Sequence, residues 1–146
     1  MGNKVMAAVG RAGRVLRDLA AQLNAYGQVV GTYEDVTLSA SAATVLGRDV
    51  YEYRLTTAAG GVHADELSMP VLADGRVGER HLITYAAETD AGDTAVASAA
   101  LVALLSQAAL TVSAVTFDTV GEWLLLENRG LKWEVIAATS GVVTAA

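Results

Sequence analysis

The 146-residue chain has no cysteine, one proline, two histidines and few aromatics, only 5% of its residues. The absence of cysteine excludes disulfides, thiol nucleophiles and the zinc sites that depend on sulfur ligands. The single proline, Pro70, confines a break in any sheet to an edge or a strand end near that point. The two histidines, His63 and His81, sit in no HExxH or similar ligand spacing, so each is expected to be a loop or surface residue. No apolar run reaches about 18 residues without a charge, so no transmembrane helix is expected. A signal peptide is not expected either, because Arg11, Arg14 and Arg17 interrupt the apolar core it would need.

Charge is also sparse, at 18% of residues with a net −6, and it is unevenly spread. Residues 1–17 hold Lys4, Arg11, Arg14 and Arg17 and no acid, whereas the rest carries six basic and sixteen acidic side chains. A basic arm on an acidic body points to an acidic partner for the arm, or to a helix whose polar face is basic. Hydrophobic residues make up 53% of the chain, much of it alanine and valine, which fits one globular domain and not a disordered tail.

The N-terminal part has a helical period. Val5, Val9, Ala12, Leu16, Leu19 and Leu23 recur at steps of four and three, forming one apolar stripe with the arginines off it. Gly10 and Gly13 weaken its first half, and Gly27 is a stop signal. The spacing predicts a helix over 14–24 and leaves the arm before Gly13 either helical or extended.

After Gly31 the period becomes strand-like. Residues 47–57 place Val50, Glu52, Arg54 and Thr56 on one face and Tyr51, Tyr53, Leu55 and Thr57 on the other. Gly60-Gly61 and the Asp74-Gly75 pair mark turns. A short strand is expected within 66–72 and a longer one at 80–88, with His81, Ile83 and Tyr85 on one side and Leu82 and Thr84 on the other. Residues 96–112 fit either a short helix or strands. No repeat of 20–50 residues is visible. The partition is an arm, 1–31, and a β-rich domain, 32–146.

Residues 117–136, FDTVGEWLLLENRGLKWEVI, hold both tryptophans. Val115 and Phe117 share a face, Thr119-Val120-Gly121 turns the chain, and Asn128-Arg129-Gly130 reads as a hairpin loop. Trp123 and Leu125 share one face of the strand between these turns, and Leu124 and Leu126 the other. On the return strand Trp133 and Val135 point together, with Lys132 and Glu134 toward water. With the tryptophans expected in the core, Leu124 and Leu126 form a second apolar face. A strand apolar on both faces needs two covers, here a second copy of the chain or the N-terminal helix.

Catalytic patterns are not found. There is no GxSxG. GRAGR (10–14) and GTYEDV (31–36) lack the GxxxxGK[ST] phosphate loop. Asp90 and Asp93 would make at most a weak calcium loop. Glu122 and Glu127, five apart on a strand, fall on opposite faces and do not form a carboxylate pair. An acidic body argues against nucleic-acid reading. The residues point to an interaction module and not to an enzyme, and no cofactor or metal is expected.

From about Leu67 onward the chain resembles the β domain of tailed-bacteriophage capsid decoration (cement) proteins. The resemblance rests on the ordered set LADGRVGERHLI (72–83), VTFDTVGEWLLLENRGLKWEVI (115–136) and SGVVTA (140–145). It implies a mainly β fold, a small sandwich or barrel-like body of the tulip type, and a homotrimer on the outer surface of the virion capsid, made in the bacterial host cytoplasm. The partner it implies is the major capsid protein, with no nucleic acid and no membrane. The arm residues Lys4, Arg11, Arg14, Arg17, Leu16, Leu19 and Leu23 then become the expected capsid contact. Phe117, Trp123, Leu124, Leu125, Leu126, Trp133 and Val135 become the core and trimer interface. Similar modules occur in tail fibres and spikes, so a receptor-binding module of the tail is the alternative.

Overall fold

A computed structural model describes residues 32–47, 50–72 and 76–146. The expected arm, with Lys4, Arg11, Arg14, Leu16, Arg17, Leu19 and Leu23, lies outside the described residues, as does the Asp74-Gly75 turn.

The body is mainly β, as the alternating segments predict, and its sheet curls into a half-barrel. The strands are β1 (Tyr33–Thr37), β2 (Thr44–Val45), β3 (Glu52–Thr56), β4 (Ala64–Ser68), β5 (Arg80–Ala87) and β6 (Thr94–Ala97). A one-turn helix, α1 (Ala99–Val102), follows, then β7 (Leu105–Gln107), β8 (Leu110–Phe117), β9 (Trp123–Asn128), β10 (Trp133–Ala138) and β11 (Val143–Ala145). Their order across the sheet is β1-β3-β5-β9-β10-β7-β8-β6-β4-β2, with β11 beside β8.

This order reveals a winding. The first six strands alternate between two wings: β1, β3 and β5 pair in parallel on one, and β2, β4 and β6 pair in parallel on the other. Each odd–even pair is one turn of a coil. The turns begin at residues 33, 52 and 80. Those unequal spacings explain why no fixed repeat shows in the sequence: the connections differ in length while the strand pairing stays in step. The second half closes the coil with antiparallel strands. β9 pairs with β5, and β8 joins the wings by pairing with β7 at its start and β6 at its end.

The ambiguous segment 96–112 resolves into both of its expected states. Ser98 caps α1, its hydroxyl accepting the Leu101 N–H at 3.2 Å, and β7 and the start of β8 follow as a hairpin. The strand expected within 66–72 lies earlier, at Ala64–Ser68, because Pro70 cannot extend it.

The core sits inside the curl. Tyr53, Leu55, Ile83, Tyr85, Leu124, Leu126 and Trp133 enter it from one wing, and Leu67, Ala95, Val115 and Phe117 from the other, all essentially buried. The faces expected for 52–57 and 80–88 hold. Full burial of each Leu or Phe side chain contributes about 1.5–3 kcal/mol, so this inner face dominates the stability.

Candidate functional site

The hairpin at 123–138 needs a correction. Its strands have the expected parity, but Leu124 and Leu126 face the core with Trp133 and Val135, while Trp123, 37% exposed, and Leu125 face outward. The register is the physical reason. Asn128 pairs with Trp133 and Leu126 with Val135, and residues directly opposite in an antiparallel pair lie on one face. Trp133, Val135 and Phe117 are buried as expected. Trp123 and Leu125 are therefore not core residues.

The apolar strip they form continues sideways. Leu82 pairs with Leu125 and Thr84 with Trp123 across β5 and β9. Tyr51 completes the lining, and together these residues wall a shallow, nearly all-apolar depression. The alternation places Tyr51 on the same face as Tyr53. It instead sits in the bend before Glu52, outside the regular alternation of β3. Its backbone bridges neighbouring segments: its N–H donates to Thr32 Oγ1 at 3.1 Å, and its carbonyl accepts the Leu82 N–H at 2.8 Å. The rim is polar. Glu52 accepts from Arg54 and from the Thr84 hydroxyl, each at 3.2 Å, and Arg80 Nε lies 2.8 Å from Glu127. Arg54 also lies 3.8 Å over the Tyr33 ring, a cation–π contact.

A second apolar surface lies at the far end of the hairpin. Leu131, 87% exposed at its tip, joins Val71 and Leu104 around a groove floored by Met69 and Leu72.

The polar groups that sequence reasoning offered as a calcium loop serve a different purpose. Asp93 is buried, and its carboxylate accepts the N–H groups of His63 and Asp90, each at 3.1 Å, and the Thr57 hydroxyl at 3.0 Å. Asp90 accepts the N–H groups of Gly60 and Gly61, both at 2.9 Å, where positive φ at both glycines turns their amides toward it. Tyr85 donates its hydroxyl to the Asp93 carbonyl at 2.8 Å, and burial pushes its phenol above the ordinary range. These carboxylates tie the loop after β3 to the loop after β5. Among the described residues no three His, Asp or Glu side chains converge as a metal site.

Burial pushes the Asp93 carboxyl up, but the donated hydrogen bonds from Asp90, His63 and Thr57, with the nearby His63, outweigh it and hold the group below its ordinary value. A carboxylate whose folded pKa is depressed adds stability above its unfolded pKa of about 3.9 and loses it as pH falls through the folded value. Urea midpoints of the parent should therefore fall steeply below about pH 4, and those of Asp93→Asn should be lower at neutral pH and flatter in acid. Equal slopes for the two would remove Asp93 from the acid response.

His81 is a further correction. It was expected at the surface and is buried, with Nδ1 2.9 Å from the Val50 carbonyl and Nε2 2.5 Å from buried Glu79. Its alternation with Ile83 and Tyr85 carried the signal, and the residue type obscured it. His63 does lie in a loop, with Nδ1 2.7 Å from the buried Asp65. The chain matches no protein-family model, and a search of curated proteins finds no match to it.

Proposed function

We propose that this chain is a virion structural protein, a decoration protein that binds the outside of a tailed-phage head as a homotrimer and stabilises contacts between major capsid subunits. The observation that carries the reading is the outward apolar strip around Trp123 and Leu125, set on a sheet whose other face is fully used by the core. A side chain such as Trp left part-exposed on a packed sheet is area available for a partner. The segments that resemble decoration proteins fall in β5, in the β8–β9–β10 run and in β11 of this same body. Binding of this kind asks for a rigid body and symmetric copies, and three weak feet hold far better than one. The arm residues Lys4, Arg11, Arg14 and Arg17 add orientation on an acidic lattice, since exposed ion pairs give only about 0.2–1 kcal/mol each.

The test is attachment. Light scattering should give the mass of three chains, and the protein should sediment with empty heads in copy numbers matching the lattice. Reversing the four basic arm residues to glutamate should weaken attachment, and the difference from the parent should shrink as salt rises. A monomer that never sediments with heads would sink the reading.

The exposure of Trp123 beside Tyr51 favours one second reading, a tail-fibre or receptor-binding module that stacks sugar rings on this platform. It predicts a handful of copies per virion, located on the tail.

A further inference from the structure

The two ends of β9 carry opposite chemistry. At one end the residues before β5 lie against the hairpin tip: the Gly78 N–H donates to the Asn128 carbonyl at 2.8 Å, and Arg80 pairs with Glu127. Arg76, Arg80, Arg129 and Lys132 gather there, four of the five basic residues of the described chain, against Glu79 and Glu127. Arg129 and Lys132 bracket Gly130 and Leu131, which wall the apolar groove over Met69 and Leu72. At the other end of β9 the turn Asp118–Glu122 projects, with Val120 47% exposed. The Gly121 N–H donates to the Tyr85 carbonyl at 2.8 Å, which sets this turn beside the loop after β5. Segments 85–93 and 118–122 together hold five acids and no base.

We propose that the groove beside Leu131 receives the Val120 turn of a second copy of this chain, and that three copies close head to tail into a ring. Charge selects this occupant. The groove is an apolar wall between Arg129 and Lys132, and the turn is an apolar tip between Asp118 and Glu122, so seating one in the other brings each base toward an acid. A contact of like ends would set base against base or acid against acid. The turn is also preformed, which lowers the ordering cost of docking. The Glu122 carboxylate accepts the N–H groups of Asp118 and Thr119, at 2.7 and 3.1 Å, and holds the turn closed. Because groove and turn lie at opposite ends of a six-residue strand, about 20 Å apart, one chain cannot fill its own groove. Two copies leave one groove and one turn unused, and a closed ring uses all of them.

This contact rests on the homotrimer of the decoration reading and names its interface. It uses only the ends of β9. The outward strip of Leu82, Trp123 and Leu125 lies on the face between those ends and stays open to a capsid subunit. Self-contact and head contact therefore fall on different surfaces of the same hairpin.

Sedimentation velocity of full-length variants tests the ring. Leu131→Asp damages the groove and Val120→Asp damages the turn, and both positions are exposed, so far-UV circular dichroism should not change. Each variant alone should sediment as a monomer at concentrations where the parent is a trimer. Mixed in equal amounts, the two should form a species of two chains and no trimer, because one sound turn meets one sound groove and the ring cannot close. The charges give a second check. Arg129→Asp and Asp118→Arg should each weaken the trimer, and the two together on one chain should restore it. Variants that stay trimeric would overturn the proposal, and if they also lose attachment to empty heads, the groove belongs to a capsid subunit. A mixture with no two-chain species, a charge swap without rescue, or open fibres in place of three-chain rings would overturn it as well. A parent that is monomeric in solution overturns the ring, while its sedimentation with heads judges the decoration reading separately.

Discussion

Leu124→Asp is expected to abolish the native fold, while Leu125→Asp, one residue along, leaves it standing. Leu124 is fully buried and points into the core from the same sheet face as Trp133 and Val135. Its replacement removes about 1.5–3 kcal/mol of burial and places a carboxylate where no donor awaits it, at a cost of several kcal/mol more. Against a total stability of about 5–15 kcal/mol, that loss is enough to unfold the chain. Leu125 points the other way, into the outer depression, where a carboxylate can reach water. Near-UV circular dichroism at neutral pH separates the two variants. A folded Leu124→Asp chain beside an unfolded Leu125→Asp chain would reverse the assignment of faces. The same pair bears on assembly, because Leu125→Asp should also weaken any self-association or head binding that uses the strip.

His81→Phe is the other large effect, and its cost comes from what it leaves behind. The imidazole sits among rings, 5.6 Å from Tyr53 and edge-on to Trp133 at 5.8 Å. A carbonyl only accepts, so Nδ1 carries a proton donated to Val50, and a second proton lies between Nε2 and Glu79. Phenylalanine keeps much of the volume and the ring contacts but leaves the Val50 carbonyl and the Glu79 carboxylate facing an apolar edge. Removing one member of such a buried pair costs about 3–5 kcal/mol. Adding Glu79→Leu should recover part of the loss, since replacing both members with apolar groups is often close to neutral. Recovery would be incomplete, because Glu79 Oε2 also accepts the Arg76 N–H at 3.0 Å and closes the turn before β5. Urea midpoints of the parent, the single and the double variant give the comparison; a single variant as stable as the parent would remove the pair from the stability of the core.

Both experiments turn on faces, and faces are where the sequence was readable and where it misled. Alternation alone places Tyr53, Leu55, Ile83 and Tyr85 together, and they meet in the core. At 123–126 both faces are apolar, so alternation cannot choose between them. Taking tryptophan as the core residue chose the wrong one for Trp123 and the right one for Trp133. The hairpin register decides the matter, through Leu126 opposite Val135. The β7–β8 hairpin was hidden for a different reason. Its two-residue turn places Ala108 and Ala109 at positive φ, 48° and 68°, where the common signals are Asn and Gly. Glu134 supports that turn by accepting the Ala108 N–H at 2.8 Å, a contact from another strand that no local pattern announces. The outer depression was legible only in part. Leu82, Trp123 and Leu125 were assigned to strand faces, but their meeting depends on β5 pairing with β9 across some forty residues of chain.

The alternating winding also sets an order of events during synthesis. The parallel strands of each wing emerge one turn at a time, so β3 can find β1 and β4 can find β2 soon after they leave the ribosome. β5 must wait for Trp123–Asn128, and the two wings are joined only when Leu110–Phe117 has been made. Until then the outer side of β5 is an open edge beside a half-formed apolar face, which is the condition under which strands pair with the wrong neighbour. Non-local pairing of this kind also folds slowly. A nascent chain halted before residue 110 should therefore be far more prone to aggregate than the finished protein, and the last quarter of the sequence acts on the first three-quarters as a late-arriving fastener.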